Sequence, residues 1–417
     1  MRGIIVWLSL LVTFTSVAQE QAKEIFKELA PSLFQIKIID KASGEKSSIG
    51  SGFQISAQGL IATNYHVISS FARHPEKYTM EYLDHNGDTG ELSLLSVDII
   101  NDLALVKREI ENDAPYFVIA NNTPVKGEEI YSLGNPHDLG MIVVPGTYNG
   151  LKKESFNDKI HFTGSVNPGM SGGPVVNRDK EVVGINVATA GNQIGFLIPH
   201  QKLVALVDDY QENGETTDIN VQMTAQLKQN QQKLIDALLE AEWEPRLLDN
   251  SGIFPLVKAP FIRCWGDSNS DEEKLVNWAA ASCMLEEDVY IDQQFNTGTV
   301  ELDFRLYRGN DISASKFYNL YENSLTFRSG NDVSKDDSTE FKCQHNIVDN
   351  GEQSFTSKTV FCTRAYKDFK GLFDVMFVAF SVDKNDKALI SHFTLAGVEQ
   401  APALKFTRKF MESVSWN

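Results

Sequence analysis

Residues 50–68 read GSGFQISAQGLIATNYHVI: a short apolar run, the turn Ala57-Gln58-Gly59, a second apolar run, and a histidine, His66, where that run ends. Two short strands joined by a glycine turn form a hairpin. The texture continues on both sides. From Leu33 to about Ile198 the runs LSLLSVDII, LALVKR, EIYSLG, KIHFTG, GPVVNR, EVVGINVA and IGFLIP alternate with clusters of Gly, Pro, Asn and Asp. Many short strands at regular spacing predict an all-β barrel or sandwich. A short amphipathic helix from Glu20 to Leu29 precedes them, and a helical run opens at Pro199 and stops at Gly214.

With 417 residues the chain exceeds one ordinary domain. Lys and Arg number 38 against 56 Asp and Glu, a formal charge of -18, so a nucleic-acid partner is excluded on electrostatic grounds. The N-terminus, Met1-Arg2-Gly3 followed by IIVWLSLLVTFTSVA, has the charged start, apolar core and small-residue end of a signal peptide over residues 1–18. A membrane anchor is the competing reading, but Thr13, Thr15 and Ser16 shorten the apolar run below a span. The expected location is therefore periplasmic or extracellular, with no integral membrane segment in the mature chain.

A domain over residues 19–210 is followed by a helical linker, residues 211–247, where Leu227, Leu234, Ile235, Leu238 and Leu239 recur at helical spacing. Residues 248–417 read as an α+β domain. Val300, Leu302, Phe304 and Leu306 alternate with polar residues as in a half-buried strand, and helices are expected at Ser313–Tyr321 and Pro402–Val414. All four cysteines, Cys264, Cys283, Cys343 and Cys362, lie in this domain, and export makes them candidates for disulfides. Four cysteines allow three connectivities. Local closure favours Cys264 with Cys283 and Cys343 with Cys362, and the equal spacing within the two pairs hints at a tandem repeat.

The chemistry concentrates in Val166–Val176, VNPGMSGGPVV. A serine hydroxyl becomes a nucleophile only when a base takes its proton and a carboxylate orients that base. Ser171 therefore needs a histidine and an aspartate. His66 ends a strand where a loop begins, and Asp102 stands at the entrance of the strand LALVKR, with Asp98 as its rival. Gly169 and Gly172 permit the sharp turn that aims the amides of Gly169 and Ser171 at one point, an oxyanion hole. The other histidines lack ligand-type neighbours at metal-binding spacing, so no metal or cofactor is expected.

In the order His, Asp, Ser, these segments resemble trypsin-like serine proteases of the HtrA/DegP branch. That family's TNxHV, DIAL and NPGNSGGP are matched by Thr63–Val67, Asp102–Leu105 and Asn167–Pro174, and its IGNPxGL by Leu133–Leu139. The resemblance covers roughly residues 20–205 and implies a double six-stranded β-barrel, chymotrypsin-like, with Val166, Gly195, Phe196 and Leu197 lining a primary specificity pocket for small or medium aliphatic P1 residues. The family places Asn or Asp where this chain has Met170. Its PDZ modules have no counterpart after residue 205, for no GLGV-like carboxylate-binding loop is found there.

The reading is an exported serine endopeptidase acting on protein or peptide substrates through an acyl-enzyme, without a cofactor and with homo-oligomerisation possible. Its alternative is an inactive or latent trypsin-like binding protein whose C-terminal domain recognises a cell-envelope or extracellular partner.

Overall fold

The computed structural model describes residues 14–189, 194–269, 274–322, 331, 333–350 and 355–417. Residues 1–13 of the expected signal peptide thus lie outside the described part, and helix α1 (Phe14–Leu29) begins in its last residues. The chain divides into two compact units, one formed by residues up to Lys152 with Asn157–Ile219, the other by Lys153–Phe156 with Asn220–Asn417. No described helix is long and apolar enough to cross a membrane.

The first unit holds two closed antiparallel barrels of six strands, as the family resemblance implies. The first barrel takes β1 (Leu33–Asp40), β2 (Lys46–Gln54), β3 (Leu60–Thr63), β4 (Tyr78–Leu83), β5 (Thr89–Asp98) and β6 (Leu103–Arg108), in the order β1-β2-β3-β6-β5-β4. The second takes β7 (Glu129–Gly134), β8 (Ile142–Leu151), β9 (Ile160–Thr163), β10 (Pro174–Val176), β11 (Val182–Thr189) and β12 (Gly195–Pro199), in the order β10-β11-β12-β9-β8-β7. Closure leaves no sheet edge unpaired, which is how strands this short become stable. Ile130, Ile160, Phe162, Val166, Met170, Val175 and Leu197 pack within the second barrel. Helix α3 (His200–Asn213) buries Leu203 and Leu206, and Gly214 ends it at φ +76. One element escapes the sequence pattern: helix α2 (Tyr65–Arg73) starts right after β3, so His66 stands in a first helical turn rather than in a loop.

Residues 211–247, read from sequence as a linker, contain helix α4 (Ile219–Glu240) and most of strand β13 (Trp243–Leu248). Leu234, Ile235 and Leu238 of α4 pack into the core of the second unit. There β14 (Gly252–Val257) pairs on one side with β13 and on the other with a short C-terminal strand, while β15 (Ile262–Ser268), β16 (Val276–Leu285), β17 (Val289–Asp292), β18 (Phe295–Thr297) and β19 (Val300–Gly309) lead into α5 (Ala314–Glu322). Then β20 (Lys342–Asn350), β21 (Phe355–Ala365), β22 (Phe373–Ser381) and β23 (Lys387–Val398) lead into α6 (Gln400–Glu412) and the terminal β24 (Ser415–Trp416). Seven strands form one sheet in the order β15-β16-β19-β23-β22-β21-β20. The alternation read in β19 holds: Val300, Leu302, Phe304 and Leu306 are buried, and their polar neighbours are half-buried. Cys264–Cys283 and Cys343–Cys362 are disulfide-bonded, each pair directly opposite in register across β15–β16 and β20–β21.

His392 lies in the middle strand of this sheet, opposite Asp303, and is 4% exposed. Burial pushes its imidazole down from 6.5 to about 4, against the pull of the Asp303 carboxylate. Between those values the unfolded chain binds a proton that the folded one refuses, so stability falls as pH falls. We expect the second unit to lose up to about 3 kcal/mol between pH 7 and pH 4 from this group alone. Urea unfolding of wild type and His392→Gln at both pH values checks it: the stability difference between the two proteins should change over that interval.

Candidate functional site

Asp102 is spent almost entirely on the start of α2. Its backbone adopts φ +55, a left-handed conformation uncommon outside glycine, at the turn between β5 and β6. From there its carbonyl accepts the Asn64 side-chain amide at 2.8 Å. Its carboxylate takes the His66 backbone N–H at 2.8 Å with one oxygen and meets Nδ1 of the His66 ring at 2.6 Å with the other. Burial disfavours the imidazolium, but the charge and hydrogen bond of Asp102 outweigh it, and the His66 pKa is raised above 6.5. The rival, Asp98, is occupied at its own turn, accepting the Asn101 backbone N–H at 3.0 Å and its side-chain amide at 2.6 Å.

The loop that carries Ser171 is brought against the strand leading to His66 by the neighbouring glycine. A Cβ on Gly172 would fall 2.3 Å from the Ser51 carbonyl, 2.4 Å from Thr63 Oγ1 and 2.8 Å from the Asn64 nitrogen, so only glycine lets the serine loop close on the strand that leads to His66. Ser51, fully buried on β2, locks the approach. Its N–H donates to the Ser171 carbonyl at 2.8 Å, its hydroxyl donates to the Gly169 carbonyl at 2.7 Å, and the same hydroxyl accepts the Asn135 N–H at 2.9 Å.

Asn167–Met170 is a β-turn closed by the Met170 N–H on the Asn167 carbonyl at 3.0 Å. Proline second and glycine third, the glycine at φ +94, make it a type II turn. In this turn the Pro168 carbonyl accepts the N–H of His137 at 2.9 Å. Because a trans peptide points oxygen and hydrogen oppositely, the Gly169 N–H faces away from His137. Among the described residues neither that N–H nor the one of Ser171 has a hydrogen-bond partner. Two free amides beside a serine are what an oxyanion requires.

His137 and Asp138 both have positive φ, +51 and +61. The Asp138 carboxylate accepts the Gln35 side-chain amide at 2.6 Å and pairs with the Lys46 ammonium. Hydrogen bonds from Lys46 and then Gln35 hold its pKa below the usual carboxylate range. The sequence marks this turn only by its resemblance to IGNPxGL and gives Ser51 no role, since the work of both is done by backbone groups and short polar side chains.

The four residues expected to line a pocket separate by strand alternation. Gly195 pairs with Phe162, and Leu197 with Ile160, on the inner face of β12, where Val166 meets them. Phe196 faces the other way, near His161 and beneath Lys152. Phe162, unremarked in the sequence, is fully buried and surrounded by glycines: a Cβ on Gly146 or Gly164 would lie 2.3 Å from its ring, and one on Gly195 3.0 Å.

Residues 50–185 match the family model of the trypsin-like peptidase domain. The chain is 29% identical over 202 residues to serine protease HTRA3 of Homo sapiens, covering 45% of each. To serine protease HTR4 of Rattus norvegicus it is 33% identical over 201 residues, 45% of this chain and 40% of that one. The chain therefore spans less than half the length of these curated relatives. A crystal structure of the serine endoprotease from Yersinia pestis is similar at 28% identity, covering 46% of this chain and 68% of that one, with a TM-score of 0.41.

Met170, the odd letter in the serine segment, is fully buried in the second-barrel core with Val166, Val175 and Leu197. Its backbone packs on Gly134, where a Cβ would fall 2.8 Å from its Cα. An apolar side chain therefore anchors the turn here. We expect Met170→Asn, which restores the residue type seen in the family motif, to destabilise the first unit by about 1–3 kcal/mol through an unpaired buried amide. Met170→Leu should cost less than about 1.5 kcal/mol. Denaturant unfolding of both variants measures the order.

Proposed function

We propose, from the premise that the first unit of this chain is an HtrA/DegP-like, trypsin-fold serine protease domain, that the protein is an exported serine endopeptidase with His66, Asp102 and Ser171 as its triad. The observation that carries the reading is the doubly bonded His66–Asp102 pair on the wall against which Gly172 packs. His66 takes the proton of the Ser171 hydroxyl as that oxygen attacks the peptide carbonyl. The amides of Gly169 and Ser171 receive the negative charge of the tetrahedral intermediate. Collapse breaks the C–N bond and the leaving amine takes the proton from His66. Water, deprotonated by His66 in turn, then attacks the acyl carbon, and as the ester C–O bond breaks the proton passes from His66 back to the Ser171 oxygen. Asp102 holds Nδ1 and its proton, so the other ring nitrogen is the one that carries out this work.

Small or medium aliphatic P1 residues fit the inner face of β12. The Phe162 ring occupies the space beside Gly195 and Val166, and among the described residues packed there none is acidic to receive Lys or Arg. Phe162→Ala should raise kcat/KM for P1 Leu over P1 Ala by about tenfold, the worth of one or two methylenes in an apolar pocket. Paired peptide substrates differing at P1 measure the ratio.

The triad is tested with the mature protein and Ser171→Ala, each incubated with unfolded casein and with a fluorophosphonate. Labelling and cleavage by the wild type alone are expected, and equal behaviour of the two would sink the enzyme reading in favour of a binding role. Since the His66 pKa is raised and only the neutral ring accepts a proton, kcat/KM should climb with pH through an apparent pKa above 6.5. Asp102→Asn should lower kcat by about four orders of magnitude.

A further inference from the structure

We propose that Asp138, held by Lys46 and Gln35, is a positioning residue that latches the Asn135–Gly140 turn and thereby fixes the Gly169 amide in its outward orientation. The inference rests on the proposed serine-protease reading. It starts from the turn at Asn167–Met170. Type I and type II turns differ by a flip of the middle peptide, so the same four residues could close as type I with the Gly169 N–H reversed. What favours type II is the acceptor role of the Pro168 carbonyl, and its donor is the His137 N–H. That donor is itself held in an unfavourable place, because His137 and Asp138 both sit at positive φ where their side chains cost free energy.

Where the family motif IGNPxGL has glycine, this chain has Asp138, and an aspartate at φ +61 needs compensation. The first barrel supplies it. Gln35, 1% exposed on β1, has its amide nitrogen on Asp138 Oδ1, and Lys46 on β2 pairs with the other oxygen. Lys46 and Asp138 are part-exposed, 44% and 36%, so their ion pair alone is weak. The buried Gln35 gives the contact its direction. Two further bonds tie the turn: the Asn135 N–H to the Ser51 hydroxyl at 2.9 Å and the Gly140 N–H to the Asn135 side chain at 2.9 Å. The latch thus joins one barrel to the turn that selects the peptide orientation in the other.

A latch acting on the oxyanion amide affects the transition state and leaves substrate binding alone. Lys46→Met and the double variant Gln35→Leu/Lys46→Met should lower kcat by about threefold and about tenfold with KM within about twofold, while Lys46→Arg keeps most of the rate. Asp138→Gly removes latch and backbone strain together, so adding Lys46→Met to it should change nothing further. Amide hydrogen exchange over residues 165–171 gives a second readout, faster in Lys46→Met than in the wild type. A Lys46→Met loss that persists in full in the Asp138→Gly background overturns the proposal, as does a loss confined to KM. If the wild type fails to hydrolyse or label, the protease reading falls, and unchanged exchange in Lys46→Met then overturns the latch separately.

Discussion

A trans peptide group cannot aim its oxygen and its hydrogen at the same side, and the first unit is organised around one such group, Pro168–Gly169. Its oxygen is taken by the His137 N–H, so its hydrogen faces away from His137. Everything nearby serves that division. The Ser51 hydroxyl holds the next carbonyl, that of Gly169, at 2.7 Å, and the Met170 side chain sinks into the barrel beneath. A Cβ on Gly169 would strike the Asn135 carbonyl at 2.3 Å, so glycine is required there by contact as well as by its φ. Three independent restraints on four residues hold the unpaired amides of this turn in place.

The same economy governs the His66 side of the site. A carboxylate drawn partly out of water is costly unless its lone pairs are used, and the half-buried Asp102 uses both oxygens on one residue, ring and backbone. The backbone bond pins the first turn of α2, and the ring bond sets the imidazole within it. Orientation of the side chain and placement of the helix are thus one event. Asp98, only four residues away, shows the contrast. Desolvation raises its pKa, but its carboxyl accepts the amides of Asn101 at its own turn and does not reach the histidine.

Much of this was legible in the sequence because the signals are local. Glycines at fixed offsets around Ser171, a histidine at a strand end and an aspartate at a strand start are properties of a few adjacent letters. The alternation in Val300–Leu306 is local too. Helix α2 was not legible, for YHVISSFAR follows a β-rich run without a break and its helical start depends on Asp102, more than thirty residues on. Ser51, Gln35 and Phe162 were missed for the same reason: each gains its role from a partner distant in the chain. The Gln35–Asp138 contact spans 103 residues, and nothing in either neighbourhood announces it. The helix α4 looked like a linker because its apolar stripe is narrow and its surface is rich in Gln and Lys. That stripe packs against strands whose pairing no local pattern specifies.

In the second unit the cysteine spacing has a physical reading beyond the arithmetic of pairs. The two disulfides staple β15 to β16 and β20 to β21, and β15 and β20 are the two edges of the seven-stranded sheet. Edge strands lose half of their ladder bonds and fray first. A bridge closing a loop of this length contributes about 3 kcal/mol in the chain-entropy view, and it acts where the sheet is weakest. Register places Cys264 and Cys283 in one row with Leu302, Phe393 and Phe377, whereas Cys343 and Cys362 share the opposite face with Met376 and Thr394. Helix α6 packs on the face of the first row, and α5 on the other. Each cysteine hairpin is thus followed by strands and then by a helix on the face its own disulfide does not occupy. Equal spacing of the cysteines comes from equal construction of two edges, and both edges rely on an oxidising surrounding to stay closed.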